Sequence, residues 1–121
     1  GRYTTAEVRS REESRQMAAA GVDLVVPHVG LTTGGTIGAT QALSLEEAAT
    51  ATQAMIRAAR EVHPRVLALA HGGPNARPED VAYILAHTDA QGFVGASSME
   101  RLPVEGAIVT VVKNFKALRL R

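Results

Sequence analysis

Apolar residues along this chain gather in short continuous runs. Between the runs lie longer segments in which they return every three or four positions. The clearest runs are residues 22–26 (VDLVV), 66–70 (VLALA) and 92–95 (GFVG). A weaker one, rich in β-favouring Tyr3, Thr4, Thr5 and Val8, covers residues 2–8. Short runs of this kind read as strands covered on both faces, as in a parallel sheet. The intervening segments read as helices. Ser10 and Glu13 form a capping box opening a helix over residues 11–20, with Gly21 placed to end it. Thr4 with Glu7 is a rival box further upstream, and the strand reading is preferred there. Ser44, Glu46 and Glu47 open a helix over residues 43–62, where Leu45, Ala48, Ala49, Thr52, Met55, Ile56 and Ala59 make one apolar stripe. Pro78 sits in the first turn of a helix over residues 78–86. Pro103 starts the last helix, residues 104–118, whose Ala107, Ile108, Val111, Val112 and Phe115 are expected to face inward.

The order is therefore β–α repeated four times, which implies right-handed parallel βαβ units. Four units make half of a (β/α)₈ barrel, which needs roughly 250 residues when complete. An open four-stranded parallel sheet also accommodates the order. The barrel is favoured because each strand runs into a loop carrying Gly and polar groups. No dinucleotide-type GxGxxG follows the first strand. The 121 residues suit a single domain over 1–121.

Composition narrows the function. A formal net charge of +1 gives no bulk attraction to nucleic acid or a membrane surface. With aromatics at 3% and no Trp, stacking platforms for single strands are lacking. The lack of Cys rules out disulfides, thiolate metal sites and a Cys nucleophile, and suits the cytosol. No apolar run approaches the ~20 residues of a membrane span.

The candidate chemistry lies after three of the runs. His28 enters a loop with Gly30, Thr32, Thr33, Gly34, Gly35, Thr36, Gly38 and Thr40. His71 opens His71-Gly72-Gly73-Pro74-Asn75, and the last run empties into Gly95-Ala96-Ser97-Ser98. Glycine lets a backbone come close to a ligand, and successive N–H groups make anion-binding nests. In barrel enzymes the loops after the last two strands often hold a phosphate. Backbone amides at Gly73, Ala96 and Ser97, with the serine hydroxyls, are thus candidate anion donors. The competing reading is a set of tight turns that need glycine for helix packing. His28 and His71 are candidate acid–base or polarising groups, with Glu100 a possible third. Asn75 and Arg77 are placed to orient a carboxylate, and Arg101 to pair with Glu100. Gly34-Gly35 is a plausible hinge. His63 and His87 fall at helix C-termini, where capping explains them.

The stretches VPHVGLTTGGTIGA, LAHGGPNARPEDVAYIL and GFVGASSMERLPVEGAI together resemble the TIM-barrel family labelled phosphoenolpyruvate hydrolase-like. A domain of that family also forms the C-terminal part of the tomato mosaic virus resistance proteins. The resemblance covers nearly the whole chain. It implies the C-terminal half of the barrel, strands five to eight, and a relation to phosphoenolpyruvate or phosphonopyruvate hydrolysis. The matching positions are His28, Gly30, Thr32, Thr33, Gly34, Gly35, His71, Gly72, Gly73, Gly95, Ser97, Ser98, Glu100 and Arg101. In the wider superfamily Mg²⁺ carboxylates come from earlier strands, so the resemblance implies that any Mg²⁺ site is supplied by the missing half. Arg2, Glu7 and Arg9 are unusual for an interior strand. Two expectations follow: part of a hydrolase for a small phosphorylated or carboxylated keto acid, or a non-catalytic ligand-binding or interaction module. A half-barrel also exposes sheet edges, so association with the missing half or with a second copy is expected.

Overall fold

The computed structural model describes residues 1–33, 35 and 42–118. Four strands alternate with helices: β1 (Thr5–Val8), α1 (Arg11–Ala19), β2 (Leu24–Pro27), α2 (Leu45–Val62), β3 (Leu67–His71), α3 (Pro78–His87) and β4 (Gly92–Val94). A single turn α4 (Ser97–Glu100) and a long helix α5 (Leu102–Lys116) follow. The strands are all parallel and lie in the order β1-β2-β3-β4. Right-handed crossovers that always step the same way put the connecting helices α1, α2 and α3 on one face of the sheet. The other face stays open, which is the half-barrel arrangement.

The register separates the two faces. Ala6 pairs with Val25 and Val25 with Ala68, while Ala70 pairs with Phe93. These positions and Val8 look toward the helices, and Val8, Val25, Ala68 and Ala70 are fully buried. Alanine here lets α2 lie close to the sheet with Ala48, Ala49, Met55, Ile56 and Ala59 inward. On the opposite face Thr5, Leu24 and Leu67 share a level, as do Glu7 and Val26, with His28 and His71 one step higher. Leu67 is left 39% exposed there.

The predicted caps form. Glu13 N–H donates to Ser10 Oγ at 3.1 Å, and the Glu13 carboxylate accepts from Arg9 N–H, one residue before the cap. Ser44 and Glu47 make a complete box. Several boundaries differ from expectation. β1 begins at Thr5, β2 runs Leu24–Pro27, α2 begins at Leu45, β3 extends to include His71, and a separate turn of helix interrupts the path from β4 to α5.

The larger correction concerns α5. Ala107, Ile108, Val111, Val112 and Phe115 do not face inward, and α5 has no buried residue. The stripe has the right spacing. It is exposed because α4, and no strand, is the main element α5 packs against.

Candidate functional site

The loops after β2 and β3 are laced together above the sheet. Val29 N–H donates to the His71 carbonyl at 3.2 Å, Gly73 N–H to Gly30 at 2.7 Å, and Thr33 N–H to Gly73 at 3.2 Å. Gly72 and Gly73 have φ of 76° and 61°. A Cβ on Gly72 would run into the Gly30 carbonyl oxygen, and one on Gly73 would lie 2.6 Å from that of Val29. Both glycines therefore serve a positive φ and a close approach of one loop to the next. This corrects one expected role: the Gly73 amide is committed to Gly30 and is not a free anion donor.

The lacing brings the two histidines together. Their rings meet edge to face with centroids 4.8 Å apart. His71 Nδ1 lies 2.8 Å from the Val94 carbonyl oxygen. A carbonyl only accepts, so Nδ1 carries the proton and Nε2 is the nitrogen left for chemistry. His28 Nδ1 accepts from Gly30 N–H at 3.3 Å, which puts the proton of the neutral ring on Nε2. Burial, then the neighbouring His71, holds the His28 pKa below the ordinary histidine value; Glu7 pulls it up and Arg9 down. His28 is thus a neutral ring with an Nε2–H donor.

The carboxylate beside this pair is Glu7. Its Oε1 lies 3.8 Å from His71 Nε2. Glu100 is exposed at the end of α4. The signal for Glu7 was a charge in a β-favouring run, but its partner depends on the register between β1 and β3, which are not adjacent in the sheet.

The other candidates separate. Ala96 caps α4, whose first turn carries Ser97 and Ser98, so Ala96, Ser97 and Ser98 place early-turn amides and hydroxyls beyond β4. Gly95 precedes them and packs closely against Met99. Gly35 has φ of 74°, and Thr32 is half-buried. Gly34, Thr36, Gly38 and Thr40, and with Gly34 the proposed hinge, lie outside the described residues. Asn75 is 1% exposed, with no partner for either amide atom among the described residues, so it does not face the open mouth. Arg101 pairs with Glu105 at 3.0 Å, not with Glu100. His87 Nδ1 donates to the Tyr83 carbonyl and the ring stacks on Tyr83, while His63 caps α2.

A cavity of about 1130 Å³ opens between the start of α3 and the start of α5, with Pro74, Arg77, Ser98 and Leu102 among its walls. It contains neither histidine. It is the gap left where α5 stands off α3, whereas the histidines lie on an open sheet face that encloses nothing by itself. Among the described residues no group of three or more His, Asp or Glu is disposed to hold a metal ion. These residues alone do not fit a Mg²⁺ centre. No described helix is long and apolar enough to cross a membrane.

Comparison with known proteins gives findings of three kinds: a family, sequence relatives and a solved structure. The model of the family described as phosphoenolpyruvate hydrolase-like matches residues 1–118. The chain is 47% identical, over 99% of its length, to ToMV resistance protein Tm-1(GCR237) of Solanum lycopersicum, and equally to the ToMV susceptible protein tm-1(GCR26) of the same plant. It is 33% identical, over 95% of its length, to the putative transcriptional regulatory protein y4pA of Sinorhizobium fredii. The chain spans only 16% of each tomato protein and 19% of the bacterial one. Among solved structures it resembles a nitroalkane oxidase from Streptomyces ansochromogenes, a TIM-barrel enzyme, with TM-score 0.52 and 25% identity. That match covers 80% of this chain and 28% of the oxidase.

Proposed function

The chain belongs to the phosphoenolpyruvate hydrolase-like family, and from that premise we propose that it supplies part of a TIM-barrel active site for a small phosphorylated or carboxylated keto acid. The observation that carries this reading is the contact of His28 with His71 at the C-terminal ends of neighbouring strands, where barrel enzymes do their chemistry. The anionic group of the substrate sits at the start of α4, against the amides and hydroxyls of Ala96, Ser97 and Ser98. The neutral Nε2–H of His28 donates to the carbonyl oxygen, and His71 Nε2 takes or returns a proton. Hydrolysis of phosphonopyruvate or phosphoenolpyruvate is the corresponding reaction.

The remaining barrel wall comes from segments outside this chain or from a second copy. The open sheet face and the exposed stripe on α5 support this. Closing the barrel excludes water and strengthens each polar contact inside.

The test uses the full-length protein with phosphonopyruvate and phosphoenolpyruvate. His71→Ala and His28→Ala are each expected to lower kcat by about 10²–10⁴-fold. Unchanged turnover in both variants overturns the assignment. Similarity to a resistance protein and to a putative transcriptional regulatory protein favours a second reading, a binding module without turnover. Thermal stabilisation by a keto acid with no product formed would select it.

A further inference from the structure

We propose that Glu7 completes the histidine site as the positioning residue of His71, its carboxylate placed to hold the imidazolium that forms when Nε2 accepts a proton. This rests on the reading of His71 as a proton-transfer group given above. Three observations converge on it. First, Glu7 lies on the open sheet face level with Val26, one step below His28 and His71. A carboxylate there gains nothing from packing, and among the described residues the ion pair within its reach is with His71 once that ring is protonated. Second, the Val94 carbonyl fixes the proton on Nδ1, so only Nε2 can exchange one, and Nε2 is the nitrogen facing Glu7. Third, His71 is 13% exposed and Glu7 54%. The ring is largely buried, and the carboxylate is exposed enough to move with it.

The 3.8 Å separation is longer than a direct hydrogen bond. It leaves His71 Nε2 accessible to a substrate atom or water, and such contacts tighten when substrate binds. In the step itself, neutral His71 accepts a proton at Nε2 from water or a substrate O–H or C–H. The bonding pair stays on the atom that loses the proton. The resulting imidazolium is balanced by Glu7, which remains ionised throughout. The proton then returns from Nε2 to the product.

The charged and titratable groups facing His28 are Glu7 and Arg9 from the β1 side and His71 from β3, and β4 carries no titratable side chain. His28 is therefore a reporter of Glu7 that needs no substrate. The experiment uses the full-length protein with isotopically labelled histidine, as parent, Glu7→Gln, Glu7→Asp and His71→Gln. By NMR, Glu7→Gln is expected to move the titration midpoint of His28 further down and His71→Gln to move it up, with Glu7→Asp close to the parent. With phosphonopyruvate, Glu7→Gln is expected to lower kcat by about 10²-fold with KM changed less than about threefold, and Glu7→Asp to recover most of the loss. An unmoved His28 midpoint in Glu7→Gln, or a KM effect without a kcat effect, overturns the proposal. If the parent turns over neither substrate, the hydrolase reading fails while the His28 titration still decides for or against the Glu7 couple.

Discussion

Helices α2 and α5 are both long and both carry an apolar stripe at helical spacing, yet their outcomes are opposite. α2 buries Ala48, Ala49, Thr52, Met55, Ile56, Ala58 and Ala59. α5 buries nothing, and Ile108 and Phe115 are 58% and 69% exposed. α2 is also closed by a complete capping box, whereas the side chain of Arg101, the N-cap of α5, pairs with Glu105 and does not cap the helix. The difference lies opposite each helix. α2 rests on β2 and beside α1 and α3, while α5 adjoins the single turn α4. An amphipathic stripe states a need for a neighbouring layer, and only the neighbour makes it stabilising.

The sharpest way to break this comparison is a pair of truncations. Ile56→Ala is expected to cost about 2–5 kcal/mol in urea unfolding of the chain, through lost burial and a cavity. Ile108→Ala is expected to stay within about 0.5 kcal/mol. In the full-length protein Ile108→Ala is expected to cost several times more than in the chain alone, and an equal, small cost in both contradicts closure over α5. Smaller is the effect of Ser44→Ala, which removes the acceptor of Glu47 N–H and is expected to lower stability by about 1 kcal/mol. A larger loss would mean that α2 depends on its cap more than on its packing.

The smallest effect is that of pH on the open face. The folded-state pKa of His28 is lowered by burial and by His71, so below about pH 6.5 the unfolded chain binds the proton more readily. Stability is expected to fall as pH drops through that range, and His28→Gln is expected to flatten this limb of a pH-dependent melting series.

Much of the fold is legible because its signals are local. Ser10, Ser44 and Pro78 mark helix starts through atoms within one turn of themselves, and the apolar runs alternate with helical stripes over most of the chain. The candidate site is legible in part: His28 and His71 follow from strand-end position, and the glycine pair from its loop. Their tautomers do not, because these are set by Gly30 N–H and the Val94 carbonyl. Nor does the duty of Gly73, whose amide serves the neighbouring loop.

By itself the sequence determined the order of strands and helices, the caps and the glycines at the strand ends. These depend on backbone geometry and hydrogen bonds between residues a few positions apart. Only the tertiary structure decided that Glu7 stands beside His71, that Asn75 is buried and that the stripe of α5 is open. Each of those is fixed by strand register or by the presence of a facing layer, which couple residues far apart in the chain.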